Sequence, residues 1–182
     1  MKIISGKYKG RTVTGFNIEG TRPTIDRIKE SIFNMLQTDI KNSIFLDLFS
    51  GSGNIGIEAL SNGSKCAYFV DNNKIAINTI NENIKKLNVT DEYYVYSMHY
   101  NKALKKFDEK GIKFDIIFLD PPYNSNLLSD VLKKINDFSL LNKDGQIIIE
   151  YVDEIIDTSE YKVIKDKKYG NKKILILKKV GV

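Results

Sequence analysis

From residue 44 onward the chain alternates short apolar runs with amphipathic stretches of helical period. Apolar runs such as FDIIFL at 114–119 read as strands. Strands are expected at 44–48, 66–70, 93–97, 114–119 and 146–151, with helices at 54–61, 73–87, 99–110 and 127–137. Five strands separated by helices imply a parallel sheet built from right-handed crossovers. The tail differs: β-prone stretches at 161–166 and 173–178 flank KYGNK at 168–172 and predict a hairpin. That hairpin must bring an antiparallel strand into the sheet. At the other end, 2–5 and 11–16 are β-prone and flank Gly6-Lys7-Tyr8-Lys9-Gly10, a second hairpin with a basic, aromatic-bearing tip. Thr24 can then cap a helix whose apolar positions Ile25, Ile28, Ile32 and Leu36 recur at helical spacing. The fold class is therefore α/β, a mixed and mostly parallel sheet over 43–182 preceded by a small hairpin-and-helix extension over 1–42.

Length adds one constraint. A chain of 182 residues is one domain with a small appendage and buries about 70% of its unfolded surface, so no covalent staple is required. The single cysteine, Cys66 within KCAYFV, excludes an internal disulfide and suits a reducing compartment. MKIISGKYKG lacks the apolar core of a signal peptide and no run approaches a membrane span, so a cytoplasmic monomer is expected, with no membrane and no metal.

Charge changes the picture more. The net charge is +5, but it is unevenly spread. Residues 1–42 carry eight Lys/Arg against four Asp/Glu, 162–182 carry eight Lys against Asp166 alone, and 43–161 carry twelve against eighteen. Two basic ends flank an acidic body, as expected if a polyanion touches the ends. Lysine is abundant throughout, so arginine says more: Arg11, Arg22 and Arg27 all lie in the first 27 residues. Arginine confined to one region suggests a need for its planar fork, as in phosphate binding. Structural ion pairing is the competing use.

Strand 44–48 runs into Gly51-Ser52-Gly53-Asn54-Ile55-Gly56, a G-x-G-x-x-G between strand and helix, with Asp71 at the end of the next strand. Spacing alone satisfies the dinucleotide fingerprint, including the acid for ribose hydroxyls, and so admits a hydride-transferring oxidoreductase. Asp47 argues otherwise. It ends the first strand four positions before the loop, where its charge opposes a pyrophosphate at the helix N-terminus. A ligand carrying an ammonium and a sulfonium is favoured there. S-adenosylmethionine has both, with a carboxylate for the loop amides and a ribose for Asp71.

The second constellation is Asp120-Pro121-Pro122-Tyr123, directly behind the strand at 114–119. Carboxyl ends of strands are where open α/β sheets bind ligands. Asp120 and the Pro121 carbonyl are acceptors, since proline has no backbone donor. Tyr123 offers a ring for stacking on a nucleobase, worth roughly 1–3 kcal/mol. Two acceptors holding the hydrogens of an aromatic amine aim its lone pair out of the ring plane. A plain strand-ending turn is the competing reading. If the strands ending in Asp47 and Asp120 are neighbours, methyl donor and amine open into one crevice.

With these residues in view the chain resembles the RsmD-like methyltransferases, which modify guanine in bacterial 16S ribosomal RNA. The resemblance runs through IISGKYKGR, Arg22-Pro-Thr with Arg27 and Glu30, LDLFSGSGNIGIEALSNG, DPPY and Tyr169-Gly170. It implies a Rossmann-like class I S-adenosylmethionine-dependent methyltransferase fold and transfer to the exocyclic amine of a guanine in 16S rRNA or the small ribosomal subunit. It implies cofactor roles for Asp47, Phe49, Gly51, Gly53 and Asp71, and target roles for Asp120, Pro121, Pro122 and Tyr123. RNA contacts are expected from Lys7, Lys9, Arg11, Arg22, Thr24 and Arg27. One departure stands out: His99 occupies the position where such enzymes often place an Asp or Asn toward the cofactor adenine. A neutral imidazole can still accept one hydrogen bond. Methylation of another RNA, a DNA base or glutamine, and an RNA-binding assembly role, remain the alternatives.

Overall fold

The computed structural model describes residues 1–15, 24–122 and 127–180, without the side chains of Thr24 and Ile25. Helix α1 spans Thr24–Met35 and is followed by β1 (Ile44–Asp47), α2 (Asn54–Ser61), β2 (Cys66–Asp71) and α3 (Lys74–Leu87). Then come β3 (Glu92–Ser97), α4 (Tyr100–Glu109), β4 (Phe114–Leu119), α5 (Leu127–Asp137), β5 (Leu141–Tyr151), β6 (Tyr161–Tyr169) and β7 (Lys172–Lys179). The seven strands form one sheet in the order β3-β2-β1-β4-β5-β7-β6. Pairs from β3 through β5 are parallel, and β7 runs antiparallel to both β5 and β6. The order reverses between β1 and β4, so the ends of these two strands meet at the crevice that such sheets use for ligands.

Both faces of the central strands are covered, which is why β1, β2 and β4 read as nearly continuous apolar runs, while the edge strands β3 and β6 are largely exposed. On one face α4 and α5 set Leu104, Phe107, Leu128 and Leu132 against Leu46, Ile117, Ile147 and Leu175. On the other, α1 sets Ile28, Ile32 and Phe33 against Phe45, Ile116, Phe118 and Ile148. There α2 and α3 pack Ile57, Leu60, Ile80 and Ile84 around Phe69, together with Ile3, Tyr8 and Val13 from the N-terminal segment. The 1–42 segment thus shares the core of 43–182.

Among the described residues the predicted N-terminal hairpin forms in reduced shape, with a single bridge, Lys2↔Thr12, in place of two strands, and residue 16 of the expected second strand lies outside them. The reason is local. The tip turns its backbone toward the end of α2, where Lys7 N donates to the Ser61 carbonyl and Tyr8 N to Ser61 Oγ. Gly6 makes this approach possible: it adopts φ +74°, and a Cβ there would stand 1.8 Å from the Ser61 carbonyl oxygen. Elsewhere the differences are of boundary. β5 begins at Leu141, five residues before the expected start, through an irregularity between Phe114 and Ile116 of its partner, and β6 continues to Tyr169.

A buried ion pair joins the segment to the body. Lys29 Nζ lies 3.0 Å from Glu58 Oε2, and both side chains are fully buried. Glu58 also accepts from Ile4 N, Ser5 N and Ser5 Oγ, at 3.0, 2.9 and 2.9 Å. Lys29 donates to Asn54 Oδ1 and to the Lys2 carbonyl. Every charge-bearing atom thereby finds a partner, which is the condition for holding ions out of water.

Candidate active site

The site begins with the turn after β1. Ser50 fixes it: Oγ donates to the Asp47 carbonyl at 2.6 Å and accepts from Val70 N at 2.9 Å. Gly53 then takes the left-handed conformation, φ +76°, that starts α2. The third glycine serves packing, since a Cβ at Gly56 would meet the Phe69 ring at 2.3 Å, whereas one at Gly51 would meet nothing within 4 Å. Gly51 therefore borders open space where a ligand can approach the backbone. Asn83, fully buried in α3, clamps the loop by donating to the Ser52 carbonyl at 3.0 Å and to the Thr14 carbonyl at 2.9 Å.

The two acids expected around the loop occupy different positions. Asp71, at the end of β2, accepts from Gly51 N at 2.9 Å and from Asn73 N at 2.8 Å. It lines a cleft of about 90 Å³ together with Leu48, Phe49, Met98, His99, Tyr100 and Pro122. Asp47 lies behind the loop, 1% exposed, with Oδ2 accepting from Gly56 N at 3.1 Å. Burial pushes its carboxyl up to about 7, against the Gly56 hydrogen bond and with a further push from the Asp71 charge. A direct clasp of a ligand by Asp47 was the expectation from sequence; the observed position is one layer deeper.

His99 has two attachments. Its Nδ1 accepts from Asn101 N at 3.4 Å and caps α4, and its ring centroid lies 4.4 Å from that of Tyr100. The acceptor expected to meet an adenine amine is thus engaged by the helix cap. Nε2, a donor in the neutral tautomer with this cap, is the group left to meet a ligand. Phe49 and Tyr100 supply an aromatic wall, their ring centroids 5.7 Å apart and their planes inclined at 50°.

The amine-gripping side comes from β4. Asp47 pairs in register with Phe118, so Asp120 stands two residues further along the adjacent strand, on the same face by the alternation of side chains. The next pair, Leu119↔Ile149, continues into Asp120 beside Glu150 of β5. Glu150 is 7% exposed and ion-paired with Lys172 at the start of β7. Burial pushes the Asp120 carboxyl up to about 8, Glu150 adds to the shift, Lys172 opposes it, and Asp47 adds again. Pro121 is buried and Pro122 exposed on the cleft wall. Tyr123, expected to stack on the target, lies outside the described residues, as do Arg22 and the side chain of Thr24. Glu150 and Lys172 did not figure in the sequence reading, although a lone acid ending the apolar run IIIEY was a visible signal.

Of the basic residues expected at RNA, Lys7, Lys9, Arg11 and Arg27 are all exposed, and two of them have partners. Lys7 is ion-paired with Asp91, which also accepts from Tyr8 Oη at 2.7 Å. Arg11 donates to the Leu87 carbonyl at 2.7 Å and lies over the Tyr8 ring. Among the described residues no group of three or more His, Cys, Asp or Glu could hold a metal ion, and no helix is long and apolar enough to cross a membrane.

The raised carboxyls carry a consequence for stability. A carboxyl whose folded pKa lies above its unfolded value holds an extra proton in the native state between the two, so stability falls as pH rises through that window. For Asp47 and Asp120 the window runs from 3.8 to about 7 and about 8. Thermal unfolding is expected at lower temperature at pH 8 than at pH 5.5. Asp47→Asn should raise the pH 8 value and flatten the decline. A variant whose Tm follows wild type at every pH would show that Asp47 ionises without penalty.

Comparison with known proteins gives the family. The family model described as Conserved hypothetical protein 95 matches residues 1–178. The Bacillus subtilis protein YlbH is 38% identical over 184 aligned positions, covering 100% of both chains. Ribosomal RNA small subunit methyltransferase D of Haemophilus influenzae is 32% identical over 172 positions, covering 93% of this chain and 89% of its own. The solved structure of Escherichia coli yhhF superposes with a TM-score of 0.84 at 26% identity, covering 98% of this chain and 97% of that one. On a family match running from residue 1 to residue 178, with relatives aligned along nearly their whole length, the chain belongs to the Conserved hypothetical protein 95 family, the RsmD-like family that its opening residues and DPPY tetrapeptide resemble.

Proposed function

We propose that the protein transfers a methyl group from S-adenosylmethionine to the exocyclic N2 amine of a guanine in 16S ribosomal RNA. One observation carries the chemistry: Asp47 and Asp120 end adjacent parallel strands on one face, close enough for the charge of one to raise the pKa of the other. Two relatives named as small-subunit rRNA methyltransferases, at 32% and 31% identity, support the substrate class.

The donor set fits the cofactor. The cleft joins a partly exposed carboxylate, Asp71, to aromatic and apolar walls from Phe49, Tyr100, Leu48 and Met98, the chemistry a nucleoside requires. Asp71 would take the ribose hydroxyls, His99 and Phe49 the base edge and face, and the α2 N-terminal amides beyond Gly53 a carboxylate. Asp47, behind the loop, is an acid whose ionisation a cationic ligand would favour and a pyrophosphate would oppose. The bound cofactor supplies an electrophilic methyl carbon on a sulfonium. Everything else is positioning. Asp120 and the Pro121 carbonyl accept the two amine hydrogens and turn the nitrogen lone pair toward that carbon, while Tyr123 stacks on the base. As the N–C bond forms and the S–C bond breaks, positive charge develops on nitrogen and Asp120 stabilises it. The new cation is acidic, so its proton can pass to Asp120 or to water. Alignment of this kind can contribute ~7–11 kcal/mol. RNA phosphates are taken by the N-terminal segment, through the exposed Lys7, Lys9, Arg11 and Arg27 and through Arg22 and Thr24 of the same stretch of sequence.

Calorimetry separates this reading from a nicotinamide-dependent one. S-adenosylhomocysteine should bind with one site per chain, and NAD and NADP should give no heat. The reverse pattern would overturn the assignment.

A further inference from the structure

Beyond the catalytic crevice, a cavity of about 550 Å³ lies between α1 and β6. It is walled on one side by Arg27, Ser31 and Asn34 of α1, and on the other by Lys165, Lys167 and Tyr169 of β6. The two basic ends of the chain, far apart in sequence, therefore meet here. We propose that this groove is an RNA-backbone site, holding the single-stranded segment that flanks the target nucleotide. The inference rests on the rRNA reading above and extends it to a surface at the opposite end of the sequence.

The one-sidedness of β6 is the main support. The strand carries a bulge between Val163 and Lys165, and beyond it Lys165 pairs with Ile176, Lys167 with Ile174 and Tyr169 with Lys172. Ile174 and Ile176 belong to the cluster under α1, so this register turns Lys165, Lys167 and Tyr169 to the α1 face. Bulges re-aim side chains in this way. The intervening Asp166 and Lys168 point to the other face, where Asp166 accepts from Tyr151 Oη at 3.4 Å. The groove face thus shows two lysines and Arg27 against the single acid Glu30. Lysines on an edge strand also discourage strand pairing, but that role is indifferent to which face they take.

Continuity with the catalytic end favours RNA over other polyanions. Tyr169 Oη hydrogen-bonds Ser31 Oγ, which ties the hairpin turn to α1. Three residues later, Lys172 pairs with Glu150 and its charge reaches Asp120. A strand leaving the crevice meets Tyr169, an aromatic face set among cations, as grooves for single strands commonly provide. The α1 residues that line the groove run from Arg27 to Met35, ~12 Å at 1.5 Å per residue, enough for about two nucleotides.

Neighbouring lysines on opposite faces make a controlled test. Lys167→Ala and Lys168→Ala each remove one charge, so net charge is matched between them. Binding of a 16S rRNA transcript is measured across salt concentrations, with S-adenosylhomocysteine affinity as the check that the fold is intact. Lys167→Ala should lower the slope of log K against log salt by ~0.7, the value for one single-strand phosphate contact, and Lys165→Ala should do the same. Lys168→Ala should leave the slope unchanged. Equal losses for 167 and 168, or none for 165 and 167, would overturn the groove while leaving the rRNA reading intact. Absence of salt-dependent binding by the wild-type protein would instead remove that reading, and the groove with it.

Discussion

Asp120→Asn is expected to slow methyl transfer about 10²–10³-fold, the scale seen when one preorganised electrostatic partner of a transition state is removed. The amide keeps the size of the carboxyl and one acceptor, but it cannot balance the charge that develops on nitrogen. Because that charge appears only in the transition state, the loss should fall on kcat, with S-adenosylhomocysteine affinity unchanged. The pH profile gives a second signature. The wild-type carboxyl is pushed up to about 8 by burial and by Glu150, and it can balance the charge developing on nitrogen only when ionised. The rate should therefore rise with pH through that region and level off above it, and the variant should lose this limb. A variant with normal kcat and an unaltered profile would remove Asp120 from the chemistry.

The second large effect concerns the fold. Glu58→Ala leaves the buried Lys29 ammonium with Asn54 Oδ1, the Lys2 carbonyl and, at 4.0 Å, the half-exposed Asp26 carboxylate. Breaking a buried pair at one end costs about 3–5 kcal/mol. At ~2–4 °C per kcal/mol for a chain of this size, Tm should fall by roughly 10 °C. The N-terminal segment should loosen as well, since Ile4 N, Ser5 N and Ser5 Oγ lose their acceptor together. Lys29→Met combined with Glu58→Gln removes both charges and should recover part of the loss, because a volume-matched neutral pair carries no stranded ion. A single variant that melts within about a degree of wild type would mean that water already reaches Lys29.

How much of this was readable beforehand follows from the kind of interaction involved. The main sheet and its helices were legible because Phe114–Leu119, Cys66–Asp71 and their like announce themselves by local pattern. The C-terminal antiparallel hairpin was legible for the same reason, with Gly170 at φ +63° in its turn. Asp47, Asp71 and Asp120 were legible as strand-ending acids beside a glycine loop or a Pro-Pro turn. What local pattern could not reveal was contact between distant segments. Glu58 reads as one acid within NIGIEALS, and only the fold shows that it faces Lys29 and the backbone of Ile4 and Ser5. The depth of Asp47, the Glu150–Lys172 pair beside Asp120, and the partners that occupy Lys7 and Arg11 belong to the same class. The one-residue register shift in β6 is subtler still, because VIKDKK carries no glycine to mark a bulge.

The most direct measurement is to incubate the protein and Asp120→Asn with methyl-labelled S-adenosylmethionine and small ribosomal subunits, digest the RNA, and identify the labelled nucleoside. Label in N2-methylguanosine from 16S rRNA, abolished or nearly so by the substitution, is the expected result. Label on a ribose hydroxyl or a ring carbon, or no label in RNA at all, would contradict an amine held between the Asp120 carboxylate and the Pro121 carbonyl.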